Sequence, residues 1–389
     1  MTRLRAGNRI ELLKSGAGYF PALVAAIESA CAEIHLQAYI YEDDGTGRRI
    51  AAALIRAARR GVAVRILLDG FGSKEFLSSA TVADLRQAGA RVLVFRPWQR
   101  LTKFRPHRLR RMHRKLAVID GRLAFAGGIN IVDDFEKPRA THGRLDYAVS
   151  VEGPLLEEIH GAACSLWGRV SWSHFRRRWR PARRIEPVTA ACGNVEAALL
   201  LRDNFKHRRE IENAYLAAIQ EARSEILIAN AYFFPGRNFR EALAAAVARG
   251  VRVVLLLQGK VEYWFQHYAS RALYADLLRA GIEIHEYHLG YLHAKVAVID
   301  AAWLTVGSSN IEPLSLLLAK EANIVVRDNA SALALRASLM EEMKLGARQV
   351  VREQWESLPL LERILCRAVL RLARWALAFS VSGAQGEYA

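Results

Sequence analysis

The chain has 389 residues, 52% apolar and 24% charged, with 56 Lys and Arg against 39 Asp and Glu for a net charge of +17. That length allows two or three domains or one large duplicated one, and the composition excludes a disordered chain or a disulfide-dependent miniprotein. The positive surplus draws the protein toward phosphate-rich partners, either anionic lipid or nucleic acid.

At the amino end, Met1 to Arg5 are followed by Gly7, Asn8, Arg9 and Glu11 instead of an apolar core, so no signal peptide is expected. No stretch reaches the ~18 uncharged apolar residues of a membrane span. Cys31, Cys164, Cys192 and Cys366 are far apart and form no C-x-x-C pair, which argues against a disulfide framework and against a zinc module, and points to a reducing compartment. The expected location is cytosolic, with a membrane surface still open to it.

In chain order, a helical pattern (Ala25, Ala26, Ile27, Ala30) leads into the apolar strand Glu33 to Tyr39, and a second helix is predicted from Ile50 to Arg60. Gly61 then precedes the strand Val62 to Leu68. The order returns downstream. Ala217, Ala218, Ile219 and Ala222 lead into Glu225 to Ala231, a helix is predicted from Phe239 to Arg249, and Gly250 precedes Val251 to Leu257. Gly just past a helix, with a Val/Ile/Leu run behind it, marks a helix crossing over to the next strand of a sheet covered on both faces.

Each half then carries one spaced motif, H-x-K-x4-D-x6-G-x2-N. It is His113, Lys115, Asp120, Gly127 and Asn130 in the first half, and His293, Lys295, Asp300, Gly307 and Asn310 in the second. The residues between Lys and Asp read as a short buried strand, so His and Lys project from one face and a turn after Asp returns the chain to Gly and Asn. His, Lys, Asp and Asn of each half are expected to converge. A repeat of this length is a repeat of structure, not an accident of composition.

Two His, two Lys and two Asn without a carboxylate cluster make a poor metal site, and no cofactor is expected. The set suits a phosphate. Lys and Asn donate to its oxygens, one imidazole attacks phosphorus, and the other acts as general acid and base. Such a nucleophile needs an acceptor on its other ring nitrogen. Asp146 and Glu321, each opening a strand downstream of a motif, are the candidates for orienting His113 and His293.

The doubled motif resembles the phospholipase D superfamily. The stretches GGIN, DYAVSVEGP, IANAYFFPG and VGSSNIEPLSL further resemble bacterial cardiolipin synthases of the short B-type without amino-terminal membrane spans, from about residue 7 to about residue 345. The resemblance implies an α/β fold of two duplicated α/β/α lobes with mixed, largely parallel sheets, related by a pseudo-two-fold axis, with the active site at their interface. It implies a metal-independent reaction through phosphohistidine, with phosphatidyl transfer from a phospholipid to the hydroxyl of phosphatidylglycerol. Catalytic roles would fall to His113, Lys115, Asp120, His293, Lys295 and Asp300, and phosphate binding to Asn130 and Asn310. His113 is favoured as the nucleophile.

The expected organisation is a first lobe over 1–168, a basic linker over 169–190, a second lobe over 191–350 and a membrane-surface segment over 351–389. Two Arg runs with interleaved rings, one from Arg96 to Arg111 and one from Trp172 to Arg184, fit an anionic bilayer interface; the same composition fits single-stranded nucleic acid or a solvated surface. From Leu360 to Phe379, Arg363, Arg367, Arg371 and Arg374 fall within an arc of about 80° on an otherwise apolar helix. That pattern fits a helix lying in the headgroup layer, with docking on the protein's own core as the competing reading. The expected partners are therefore an anionic membrane and phosphatidylglycerol, on the cytoplasmic side and without nucleic acid. Hydrolysis of phospholipid or nucleic acid by the same centre is the alternative.

Overall fold

The computed structural model describes residues 3–97, 110–134, 142–175, 179, 185–203, 207–312, 319–356, 364–366 and 368–372. The first half runs β1 (Arg5–Lys14), α1 (Ser15–Ser29), β2 (Glu33–Ala38), α2 (Gly45–Arg59), β3 (Ala63–Asp69), α3 (Ala80–Gln87), β4 (Arg91–Phe95), β5 (Lys115–Ile119), β6 (Leu123–Gly127), β7 (Tyr147–Glu152) and α4 (Leu156–Ser173). The second half repeats it as β8 (Val195–Arg202), α5 (Glu210–Glu221), β9 (Glu225–Asn230), α6 (Arg237–Ala248), β10 (Arg252–Gln258), α7 (Trp264–Arg271), α8 (Tyr274–Arg279), β11 (Glu283–Tyr287), β12 (Lys295–Ile299), β13 (Trp303–Gly307), β14 (Glu321–Arg327) and α9 (Asn329–Gly346). The strand β15 (Ala347–Val350) and the short helix α10 (Arg352–Glu356) follow.

Local chemistry accounts for the repeated crossover. The Asp44 carboxylate caps α2 by accepting the Gly47 N–H at 2.7 Å. Gly61 and Gly250, at φ +92° and +88°, take the left-handed conformation that turns the chain out of α2 and α6 into β3 and β10. Both strands are buried except at their first residue, as their Val/Ile/Leu runs require.

The strands form one 15-stranded sheet, in the order β15-β11-β10-β9-β12-β13-β14-β8-β1-β7-β6-β5-β2-β3-β4. The two halves join edge to edge where β1 pairs with β8, Asn8 facing Val195. The sheet is mixed, but parallel pairing is confined to β2–β3–β4 and β9–β10–β11. The expectation of largely parallel strands therefore holds only for the crossover part of each lobe. From the motif strand onward the connection is a tight turn, Asp120 to Arg122 or Asp300 to Ala302, far too short for a parallel crossover, so β5–β6 and β12–β13 are hairpins.

The central core straddles the joint. Leu116, Val118, Tyr147 and Val149 of the first lobe pack with Leu292, Val296, Ile324 and Val326 of the second under α4 and α9. Among the described residues no helix is long and apolar enough to cross a membrane. α4 reaches Ser173, so the expected linker begins inside a helix; 176–178 and 180–184 lie outside the described residues.

The carboxyl end is partly docked. Trp355 is buried beside Tyr274, ring centroids 5.0 Å apart, with the Arg271 guanidinium over its ring, and Cys366 and Val369 are buried as well. Arg371 is exposed, whereas Arg363, Arg367 and Arg374 of the expected cationic face lie outside the described residues. Most of the first basic run, 98–109, also lies outside them.

Candidate active site

β5 and β12 present their first residues, Lys115 and Lys295, at the end of the sheet where the two halves meet. His113 and His293 precede them by two positions and stand on the same face. Each histidine is anchored by the opposite lobe. The His113 N–H donates to the Lys320 carbonyl at 2.9 Å and the Lys320 N–H donates to the Arg111 carbonyl at 2.8 Å. In the counterpart exchange, the His293 N–H donates to the Leu145 carbonyl at 2.8 Å and the Leu145 N–H to the Tyr291 carbonyl at 2.9 Å.

The side chains cross in the same way. His113 Nδ1 lies 3.1 Å from both carboxylate oxygens of Glu321 and 3.2 Å from the Ser308 carbonyl. His293 Nδ1 lies 2.5 Å from Asp146 Oδ2. The two carboxylates singled out from sequence therefore each lie against the motif histidine of the other half. In turn Asp146 Oδ1 accepts the Tyr147 N–H at 2.8 Å, and Glu321 Oε2 accepts the Ser308 hydroxyl at 2.5 Å. A carboxylate that accepts a hydrogen bond from Nδ1–H leaves the Nε2 lone pair available for chemistry.

Lys115 Nζ donates to the His113 carbonyl at 2.7 Å and stands 5.4 Å from the centre of the Tyr39 ring, which meets the His113 imidazole edge-on with centroids 4.6 Å apart. Lys295 Nζ lies 2.7 Å from His293 Nδ1 and 3.6 Å from Asp146 Oδ2. Burial, and then the proximity of Lys295, pulls the Lys115 ammonium down to about 7; burial pulls Lys295 down to about 8. Burial lowers the proton affinity of His113, only partly opposed by Glu321, and burial with Lys295 holds His293 well below the ordinary imidazole range. Burial pushes the Asp146 carboxyl up, with Lys295 pulling the other way. The centre thus buries two lysines and two carboxylates together, with both imidazoles held toward the neutral form.

Asn130 and Asn310, both buried, follow β6 and β13 at the same end of the sheet as the lysines. Asn130 Oδ1 accepts the Ile40 N–H at 3.3 Å, while Asn310 Oδ1 has no hydrogen-bond partner among the described residues. The motif glycines have a packing reason. A Cβ at Gly127 would sit 2.5 Å from Ala148 Cα and one at Gly307 would sit 2.1 Å from Asn323, so glycine lets the strand bearing the orienting acid approach.

Asp120 and Asp300 do not join the centre, contrary to the expected convergence. Each ends its motif strand, and five residues at about 3.3 Å place it roughly 16 Å from the lysine. Asp120 accepts the backbone N–H groups of Cys31, Ala32 and Glu33 at 2.7 to 2.8 Å, and Asp300 those of Arg223, Ser224 and Glu225 at 2.8 to 3.0 Å. They fasten the start of β2 and of β9 to the hairpin turns.

A family profile described as "Cardiolipin synthase, PLD-like domain" matches residues 23–153 and 215–343, one copy over each half. Cardiolipin synthase B of Escherichia coli is 41% identical over 346 residues, 89% of this chain and 83% of that one. The chain belongs to the cardiolipin synthase family of phospholipase D-like proteins. The major cardiolipin synthase ClsA of Bacillus subtilis is 32% identical over 92% of this chain and 73% of its own. The crystal structure of phosphatidylserine synthase from Haemophilus influenzae shares the fold, with a TM-score of 0.72 at 15% identity over 98% of this chain and 97% of that one.

Around this cardiolipin synthase-type centre lie residues that the sequence reading missed. Arg144 donates to Glu262 at 3.1 Å, Tyr232 donates to the same carboxylate at 3.0 Å, and Arg144 also lowers the proton affinity of His293. Tyr39 and Ser308 touch the first imidazole and its acid. Tyr39 directly follows the strand pattern of the first half, which marks it as a residue at the catalytic end; Arg144 and Glu262 have no counterpart in the motif and no local signal.

Proposed function

We propose that this cardiolipin synthase transfers a phosphatidyl group between two phosphatidylglycerol molecules through a phosphohistidine at His113. The crossed His113–Glu321 and His293–Asp146 pairs carry the reading, because they supply two imidazoles with Nδ1 engaged and Nε2 free beside two lysines. His113 Nε2 attacks the donor phosphorus, the bond from phosphorus to the glycerol oxygen breaks, and His293 in its protonated form gives that oxygen its proton. The acceptor's primary hydroxyl then attacks the phosphohistidine, the P–N bond breaks, and His293 takes the hydroxyl proton. Two phosphatidylglycerols become one cardiolipin and one glycerol.

Charge explains the order. Burial and the lysines disfavour protonation of His293, and a phosphodiester anion offsets Lys115 and Lys295, which favours protonation of His293 when substrate is present. Lys115, Lys295, Asn130 and Asn310 hold the non-bridging oxygens, the role a cation fills in metal-dependent phosphoryl transfer.

Peripheral attachment to the cytoplasmic face of an anionic membrane completes the proposal. Tyr263 and Trp264 beside Glu262, and Phe71 under the Arg111 guanidinium, are exposed rings flanking the two motifs, suited to headgroup depth. Free thiols at Cys31, Cys164 and Cys192 suit a reducing side. The test offers purified protein phosphatidylglycerol vesicles and, separately, single-stranded DNA, both with excess chelator, and identifies products by mass. Cardiolipin and glycerol in equal amounts support the reading; phosphatidic acid alone, or cut DNA, contradicts it.

A further inference from the structure

Away from the transfer centre, the first lobe holds a second cluster of reactive side chains. Glu33 and His35 alternate onto one face of β2, and α4 lays His160 and Cys164, one turn apart, against them. All four are buried. His160 Nε2 is 2.6 Å from Glu33 Oε1, and Cys164 Sγ is 3.5 Å from His160 Nε2 and 3.6 Å from His35 Nε2. One ligand atom from each residue lies within 4.8 Å of every other.

The duplication supplies an internal control. Counting from Glu33 and Glu225, His35 corresponds to Leu227, and the register agrees, since His35 faces Arg65 across β2–β3 and Leu227 faces Val254 across β9–β10. Counting from Asp146 and Glu321, His160 corresponds to Leu335 and Cys164 to Leu339. Leu227, Val254, Leu335 and Leu339 are all fully buried in the central core. The second half thus fills the positions of His35, His160 and Cys164 with leucines and pairs Glu225 with Arg252 and Arg336, while the first half buries ionisable groups at all four positions at a desolvation cost. Packing alone does not explain the exchange.

We propose that Glu33, His35, His160 and Cys164 form a structural site for a divalent transition-metal ion, with zinc as the best fit. Thiolate, imidazole and carboxylate are zinc's ligands, and Zn–N of 2.0 to 2.1 Å with Zn–S of 2.3 Å at a tetrahedral angle places N and S about 3.5 Å apart. The two Cys–His separations match this edge; the Glu33–His160 separation of 2.6 Å opens by about 0.7 Å on binding, to the N–O edge of about 3.3 Å that the same geometry gives. Arg65 Nη1, 2.6 Å from Glu33 Oε2, holds the outer carboxylate oxygen and leaves Oε1 for the ion, the usual support of a ligating carboxylate. Arg65 also lies 3.3 Å from His35 Nε2, so a metal-free network of the same groups is the rival reading. Four protein ligands leave no open position, so the ion would tie α4 to β2 and take no part in phosphatidyl transfer.

Untagged full-length protein, stripped with chelator, is equilibrated with zinc or cobalt, freed of excess by gel filtration and assayed for metal by mass spectrometry. One ion per chain is expected, with a thiolate-to-cobalt charge-transfer band and tetrahedral d–d bands, and a melting temperature that rises with zinc. Cys164→Ser should lose the charge-transfer band and most of the affinity, while Cys31→Ser with Cys192→Ser, at the two exposed thiols, should keep both. A triple variant carrying the second lobe's residues, His35→Leu, His160→Leu and Cys164→Leu, should fold and bind no metal. Wild-type protein that takes up less than about a tenth of an equivalent overturns the proposal, as does equal uptake by the triple variant. Phosphatidylglycerol turnover in chelator reads the transfer centre separately.

Discussion

Glu321, the first residue of a second-lobe strand, holds Nδ1 of first-lobe His113 at 3.1 Å, and Asp146 returns the exchange to His293 at 2.5 Å. Neither lobe completes the imidazole–carboxylate pair of its own motif histidine. A half-chain consequently has a motif histidine without its carboxylate partner, which the other half supplies once the two are joined edge to edge.

The first prediction follows from that crossing. Glu321→Gln and Asp146→Asn keep side-chain volume but let the amide donate where the carboxylate accepted, disfavouring the tautomer with Nε2 free. Turnover of phosphatidylglycerol should fall by about 10²- to 10⁴-fold in each, with circular dichroism unchanged. Loss of less than about threefold in both would show that the carboxylates do not set the tautomer.

His113→Ala and His293→Ala should each remove nearly all cardiolipin formation, and the double variant should be little worse, since groups acting as a unit are non-additive. Initial-rate measurements separate this from two independent half-sites, which would leave about half the activity in each single variant.

Asp120 and Asp300 belong to a different experiment. Asp120→Ala should orphan three N–H groups at the start of β2 and cost about 1–2 kcal/mol in denaturant midpoints, while kcat of the folded fraction stays within a few-fold of wild type. A collapse of kcat at unchanged stability would put Asp120 back into the chemistry.

These residues show where sequence reasoning reached and where it stopped. The βαβ units, the hairpin motif and the two acids that meet the motif histidines were legible, because period-2 burial, terminal glycines and an acid opening a strand are local patterns. The crossing of Asp146 and Glu321 was not, since it depends on the β1–β8 joint and the Met112–Lys320 and Leu145–Leu292 bridges between distant segments. Asp120 was assigned to the site because it shares the motif's spacing, although strand length carries it away. The cysteine spacing that spoke against a zinc module likewise tests only local ligand pairs, whereas Glu33 and Cys164 meet through packing of α4 on β2. Burial of Cys366 and Val369 agrees with the core-docking reading of 360–379, whereas the docking of Trp355, outside that span, had no sequence signal and required the second lobe.

The pH dependence of kcat/KM follows from burial of the imidazoles and lysines. Below the depressed value of His113 the nucleophile protonates and activity falls, so the acid limb should lie below the ordinary imidazole value of about 6.5. Lys115 at about 7 and Lys295 at about 8 lose their protons as pH rises, so phosphodiester binding should weaken between about pH 7 and 9. A profile still rising at pH 9.5 would mean that both lysines keep ordinary amine values.

Membrane attachment has its own readout. Tyr263→Ala with Trp264→Ala should lower co-sedimentation with phosphatidylglycerol vesicles several-fold at constant fold, and higher salt should weaken what remains by screening the basic surface. Deleting residues after Val351 should lower the melting temperature too, because Trp355, Cys366 and Val369 are buried. Undiminished sedimentation of the double variant would move the contact surface elsewhere.

The covalent intermediate is the most direct test. Full-length protein is mixed with phosphatidylglycerol vesicles in chelator, quenched in alkali within the first turnovers, digested, and mapped by mass spectrometry under conditions that preserve phosphoramidate bonds. A phosphatidyl group on the peptide containing His113, absent from Glu321→Gln at the same time points, is the predicted result; label on His293, or cardiolipin formed with no labelled histidine, would contradict it.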